Sequence, residues 1–129
     1  MNHYDINKLF SHIRTCRTTH PDIIVKYLPS INISEGANDG EKNFQLFSEL
    51  RKKYPDIVVG IDLSGNAERG KFSDYLEFFK KARDEGFRFA IHCAESMNEE
   101  EILAKLEFMT ADDRIGHGTF ISGKYLKKA

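Results

Sequence analysis

The stretch Phe87–Glu95, FRFAIHCAE, decides the fold. Phe87, Phe89 and Ile91 alternate with Arg88, Ala90 and His92, the period-two pattern of a strand with two different faces. Such a strand carries His92 out at its end, on the face opposite the phenylalanines, and Glu95 follows in the turn. An imidazole and a carboxylate so close to a strand terminus are suited to be a metal ligand and an acid or base. Taken alone, H-x-x-E is also what a strand shows where it reaches solvent.

The same reading extends upstream. Ile23–Asn32 (IIVKYLPSIN) reads as a strand, with Val25, Tyr27 and Ile31 on one face and Lys26, Leu28, Ser30 and Asn32 on the other. Pro29 within it cannot donate to a ladder and favours an edge or a bulge. The loop SEGANDGE leads into a helix with an apolar stripe of Phe44, Phe47, Leu50 and Tyr54, stopped by Pro55. Ile57–Leu63 (IVVGIDL) is nearly all apolar, as expected of a strand covered on both faces, and Asp62, Ser64 and Gly65 gather at its end. A helix from about Ser73 turns Tyr75, Leu76, Phe79 and Ala82 inward and stops at Gly86.

Downstream, Asn98 is placed to cap a helix carrying Ile102, Leu103, Leu106 and Met109. Asp113–Gly118 (DRIGHG) follows as a short strand ending at His117. The first twenty residues read as a helix built on Ile6, Leu9, Phe10 and Ile13 and closed by Pro21. His12 and Cys16 lie four apart on it, a spacing that metal ligands use but that surface helices also carry incidentally.

Strand–helix repeats of this kind mean βαβ units and a parallel sheet. In every strand the polar or special residues collect at the C-terminal end: Asn32, then Asp62 and Gly65, then His92 and Glu95, then His117. In parallel α/β architectures that edge is where ligands bind and chemistry occurs.

Composition excludes other classes. The chain has 129 residues, 40% hydrophobic and 30% charged, which suits one globular domain over residues 1–129. A net charge of −1 gives no support to a nucleic-acid or membrane-surface role, and the only basic run is the short Lys124–Lys128 tail. No apolar run reaches the ~18 residues of a membrane span, and no secretory signal follows Met1. Cys16 and Cys93 are too few for a disulfide framework, so a reducing, cytoplasmic setting is expected.

Three motifs now stand in order: DLSGN (Asp62–Asn66), HCAE (His92–Glu95) and RIGHG (Arg114–Gly118). Together they resemble the adenosine deaminase family of metal-dependent hydrolases, over most of the chain from about Ile24 to Phe120. The stretches YLPSIN, YPDIVVGIDLSGN and DRIGHGTF most resemble the adenosine-deaminase-like branch that acts on N6-methyl-AMP. The resemblance implies a (β/α)8 barrel with one catalytic zinc. It also implies roles: His92 as a zinc ligand, Glu95 as the group that protonates the purine ring nitrogen while water attacks C6, and His117 as the group that helps to deprotonate and orient that water. Gly65 would donate its N–H to the purine. Asn32 sits where the methyl-AMP branch tends to place an Asp that contacts substrate, and so departs from that pattern.

Those roles fit the chemistry. C6 of an aminopurine is a poor electrophile, so a site must supply both a strong nucleophile and a proton for the ring. The cytidine-deaminase solution, with H-x-E and P-C-x-x-C, is excluded because the sequence has no C-x-x-C. Bland roles remain open at this stage: Asp62 could serve loop amides, Gly65 could serve only a turn, and His117 could be a satisfied core histidine.

Two further motifs of the family are missing. The zinc site the resemblance implies also uses an H-x-H pair at the first strand and an Asp from a D-D motif at the eighth. His3, His12 and His20 do not form H-x-H, and Asp112–Asp113 precedes a strand instead of ending one. A closed barrel takes ~250 residues. The expectation is therefore a partial TIM barrel of about four consecutive βα units, strands three to six, inactive by itself. A non-catalytic half-barrel remnant or interaction module is the alternative. The expected ligand is a purine nucleoside or nucleotide, with self-association through unpaired edge strands.

Overall fold

The computed structural model describes residues 3–126, with side chains described from 5 to 125. Helix α1 (His3–Thr19) precedes strand β1 (Ser30–Asn32) and helix α2 (Ala37–Lys53). Strand β2 (Gly60–Ser64), helix α3 (Leu76–Asp84) and strand β3 (Arg88–Cys93) follow. Helix α4 (Glu99–Phe108), strand β4 (Arg114–His117) and the short helix α5 (Gly123–Leu126) complete the order. The four strands form one parallel sheet in the order β1-β2-β3-β4.

Alternation along the strands separates two faces. Ile31, Ile61, Leu63, Phe89, Ile91 and Cys93 are buried on the helix side. Phe44, Phe47 and Leu50 of α2, Phe78, Phe79 and Ala82 of α3, and Ile102 of α4 are buried with them in one core. Each of the large side chains among them contributes about 1.5–3 kcal/mol by leaving water. Their aromatic rings meet edge-on or tilted, as with Phe79 and Phe89 at 5.1 Å. On the opposite side Ser30, Asp62, Arg88, His92 and Arg114 remain exposed or half-buried. This is the inner face of the partial barrel.

The first strand is shorter than its sequence predicts. Of Ile23–Asn32 only Ser30–Asn32 is a regular strand, with one isolated bridge upstream between Tyr27 and Val58. Pro29 is the cause, having no N–H for the ladder. Its carbonyl still accepts from Asp62 N–H at 2.9 Å, so the chain stays extended while the pairing is interrupted. Ile23 and Ile24 lie outside the core, 56% and 80% exposed. The second strand likewise begins at Gly60 and not at Ile57, although Ile57 and Val58 are fully buried.

The predicted helix from Ser73 opens instead as a 3-10 turn, Phe72–Asp74, with the α-helix starting at Leu76. Phe78 takes the inward place expected for Leu76, which is only partly buried. Asn98 caps α4 as predicted, its side chain accepting from Glu101 N–H. The buried face of that helix, however, is Glu101, Ile102 and Lys105, while Leu103, Leu106 and Met109 pack partly against the core. Cys16 is exposed and Cys93 buried, and both are free thiols. Lys127 and Lys128 of the basic tail lie outside the described residues, whereas Lys124 pairs with Glu99 at 2.7 Å. No helix among the described residues is long and apolar enough to cross a membrane.

Candidate metal and acid–base site

The C-terminal ends of β3 and β4 are stitched together by the main chain. Gly118 N–H donates to Cys93 O at 2.9 Å and Phe120 N–H to Ala94 O at 3.0 Å. To make these bonds two non-glycine residues enter the left-handed region, Ala94 at φ 58° and His117 at φ 65°. Left-handed backbone costs an L-residue about 1–2 kcal/mol, and it persists where the surroundings over-determine it. The strain therefore sits on the two loops that carry Glu95 and His117. A β-branched side chain tolerates this region worst, so Ala94→Val should lower stability by about 2 kcal/mol in urea unfolding. Ala94→Gly should leave it within about 0.5 kcal/mol. An equal loss in both would show that the methyl packing of this buried alanine matters and the backbone angle does not.

The stitch brings three groups together. His92, Glu95 and His117 each place a potential ligand atom within 4.8 Å of the others. The two imidazoles meet edge to face at 4.9 Å, and His117 Nε2 lies 3.6 Å from Glu95 Oε2. The side chains are 36%, 55% and 41% exposed for His92, Glu95 and His117, in a groove open to solvent. That groove, about 480 Å³, is lined also by Ser64, Gly65 and Ser96. Two imidazoles and a carboxylate at one point are a donor set that suits a transition metal such as zinc.

Neighbouring residues hold His92 in place. Asp62 Oδ1 lies 3.5 Å from His92 Nε2, and its Oδ2 accepts from Ser30 Oγ at 2.8 Å. Asp62 therefore faces the imidazole from the adjacent strand. A carboxylate so placed orients a histidine ring. Lys105 Nζ donates to the His92 carbonyl at 3.1 Å. Its neighbour Glu101 accepts from Phe72 N–H at 3.0 Å, so both buried charges of α4 are engaged with main-chain atoms. In the ladder Gly116 pairs with His92, and a Cβ there would lie 2.8 Å from His92 Cδ2. Glycine at that position is what leaves room for the ring. Neither Lys105 nor Gly116 is among the site residues expected from the motifs. The signal for Gly116 was present, a glycine one strand away from a functional histidine.

The remaining predicted positions lie at the rim. Gly65 has φ 97° and lines the groove, and an added Cβ would lie 2.0 Å from Asn32 Oδ1. Both a turn and a close approach thus require glycine there. Asn32 Oδ1 accepts from Ser34 N–H at 3.0 Å and from the Ser34 hydroxyl, capping the turn after β1. Asn32 does not line the groove. His12 and Cys16 are both exposed on α1, and neither belongs to a metal-type cluster among the described residues.

A model of the adenosine deaminase family matches residues 18–123. The chain belongs to the adenosine deaminase family. Within it, the adenosine deaminase-like protein of Drosophila melanogaster is 44% identical over 110 residues, 85% of this chain and 32% of that protein. Mouse N6-methyl-AMP deaminase is 33% identical over 117 residues, 91% of this chain and 32% of that protein. The crystal structure of Arabidopsis N6-mAMP deaminase superposes with a TM-score of 0.70 at 36% identity, covering 81% of this chain and 30% of that one. Structures of the Arabidopsis protein with GMP and with IMP superpose equally well. The chain spans about a third of the length of the curated relatives it matches. The four-stranded parallel sheet is thus part of the TIM barrel of adenosine deaminase-like hydrolases.

Proposed function

We propose that this chain carries the acid–base half of a zinc-dependent site for hydrolytic deamination of an aminopurine nucleoside or nucleotide, adenosine or N6-methyl-AMP in type. The observation that supports it best is the convergence of His92, Glu95 and His117 at the C-terminal end of a parallel sheet. The kinship with N6-methyl-AMP deaminases and the GMP and IMP bound in the Arabidopsis structures favour a purine nucleotide.

In this reading His92 holds the metal, and Asp62 and Lys105 keep its ring and backbone in position. Zinc, when bound, supplies a nucleophile at neutral pH by acidifying a water. His117 would orient that water and accept its proton. Glu95 would deliver a proton to the ring nitrogen as the oxygen adds to C6; the proton taken up by His117 would pass to the amine or methylamine as the C6–N bond breaks, and the new hydroxyl's proton would return to Glu95. Gly65 admits the purine plane to the rim and donates its N–H. Asn32 shapes the Gly65 loop through its Oδ1, which accepts from Ser34, and keeps its Nδ2 donors for substrate. Proton delivery calls for a carboxyl taken out of water. Glu95 is 55% exposed here, so bound substrate must cover it.

A chimera tests the reading. Residues 18–123 replace the matching segment of the Drosophila relative, and the product is assayed on adenosine, AMP and N6-methyl-AMP. Turnover of one or more supports the proposal. Metal and nucleotide binding without turnover favours the non-catalytic alternative. The 129-residue chain by itself should neither retain stoichiometric zinc nor deaminate, because His92 alone is assigned as a ligand and a catalytic zinc takes three or more. Steady turnover with one zinc per purified monomer would refute that assignment.

A further inference from the structure

Strands β2 and β3 stop pairing one step short of the site, and the cause lies on α4. Arg88 N–H donates to Val59 O at 3.1 Å, and the register runs from Gly60 opposite Arg88 to Leu63 opposite Ile91. In a parallel ladder, a residue that donates to its partner's predecessor accepts from its partner's successor, and alternate residues face the same neighbour. Arg88, Ala90 and His92 therefore face β2. One further step would set His92 opposite Ser64 and give its carbonyl the Gly65 N–H. That bond is not made. Gly65, at φ 97°, turns toward the end of β1. An added Cβ at Gly65 would lie 2.0 Å from Asn32 Oδ1, and one at Gly70 2.1 Å from Ile33 O, so the loop leans on the turn after β1 and not on β3. Among the described residues Gly65 N–H has no hydrogen-bond partner.

The His92 carbonyl accepts from Lys105 Nζ instead, at 3.1 Å. Lys105 is only 4% exposed, and a buried ammonium is costly unless its hydrogen bonds are made. Glu101, one turn earlier on α4 and also buried, accepts from Phe72 N–H at 3.0 Å. Phe72 closes the loop that Gly65 opens. Helix α4 thus governs both ends of that loop: Glu101 holds its last amide, and Lys105 takes the acceptor that the ladder would give to its first. Gly65, His92, Glu101 and Lys105 line one internal space of about 10 Å³, so the four are neighbours. We infer that Lys105 is a positioning residue for Gly65: by occupying the His92 carbonyl, it keeps the Gly65 N–H out of the ladder and free for a purine. The inference rests on the reading that Gly65 donates to the purine, and adds the side chain on which that donation depends. An apolar residue at 105 would leave the His92 carbonyl without its donor. An unpaired main-chain acceptor recruits what is within reach, and the ladder register offers the Gly65 N–H.

The test uses the complete barrel in which residues 18–123 replace the Drosophila segment, with IMP as the ligand. Amide exchange is read by NMR on glycine-labelled protein, IMP affinity by calorimetry and zinc by metal analysis. With Lys105 in place, Gly65 should exchange as an unprotected amide, and IMP should slow it roughly tenfold or more. Lys105→Met should slow Gly65 exchange with no ligand present, while other amides of β2 and β3 hold their rates or exchange faster. It should weaken IMP binding about tenfold, the effect of losing one hydrogen bond, and leave zinc content unchanged. A lysine that only filled its place in the core would give the opposite sign, faster exchange at Gly65 as elsewhere. Lys105→Leu should reproduce the signs of Lys105→Met, so misfolding of one variant does not leave the question open. Three results would each overturn the inference: a Gly65 amide already protected without ligand when Lys105 is present, no slowing of that amide in the apolar variants, or IMP affinity unchanged by them. These signatures without turnover would leave it standing and count against deamination alone. A barrel with Lys105 that binds no IMP would overturn both.

Discussion

Replacing Glu95 by Gln in a complete barrel containing this segment should lower turnover by roughly 10²–10⁴-fold, the range removed with a general acid. Metal content should stay close to one per protein, because Glu95 is assigned as the proton donor and His92 as the ligand. The amide keeps the size of the carboxyl and the loop geometry, but has no proton to give to the ring nitrogen. His92→Ala should do the reverse, losing the metal and turnover together. The two variants separate roles that proximity does not. His92, Glu95 and His117 all offer a ligand atom within the same 4.8 Å, so the geometry alone would allow any of the three to bind metal. Metal analysis beside steady-state rates decides it. If Glu95→Gln stripped the metal as fully as His92→Ala, Glu95 would be a ligand and the proton would have to come from elsewhere.

The placement of these residues was legible because a parallel sheet converts period-two alternation into position. FRFAIHCAE reads as a strand, and β3 is Arg88–Cys93 with the exposure alternating as the sequence does. Its neighbours in order, and the collection of polar groups at their ends, follow from the βαβ repeat. Pro29 carried its own warning, yet Ile23–Val25 look like strand residues by composition. Their exposure reflects tertiary context, which strand propensity does not contain. The reversal on α4 has a different cause. Leucines at helical spacing suggest the buried face, but Glu101 and Lys105 are buried because main-chain groups of other elements pair with them there: Phe72 N–H donates to Glu101, and the His92 carbonyl accepts from Lys105. No local pattern announces a partner 29 residues upstream of Glu101. The sequence does not separate a loop role from a site role for Asp62 for the same reason, since its partner His92 belongs to the next strand.

Asp113 offers the largest stability effect outside the site. Its side chain is fully buried, and its two oxygens accept from Arg83, from Phe89 N–H at 3.1 Å and from Thr110 N–H at 2.9 Å. The Arg83 Nη2–Asp113 Oδ2 distance is 2.6 Å, and the guanidinium also covers the Phe108 ring at 4.4 Å. One carboxylate thus ties α3, the start of β3 and the turn that launches β4 toward His117. Asp113→Ala removes the anion and leaves two main-chain donors and one cation without their acceptor. Breaking one side of a buried pair costs about 3–5 kcal/mol. Arg83 is 28% exposed and can recover some hydration, which places the expected loss toward the lower end of that range. Asp112→Ala, one residue away and exposed, should change stability by no more than about 0.5 kcal/mol. Arg83→Met/Asp113→Ala completes a double-mutant cycle. The double variant should be less destabilised than the sum of the singles, since the unpaired cation is gone while the orphaned N–H groups of Phe89 and Thr110 remain. Urea unfolding of the four proteins measures it. Equal losses for Asp112→Ala and Asp113→Ala would mean that the turn before β4 is held by packing, and that the carboxylate contributes nothing to keeping the His117 ring beside that of His92.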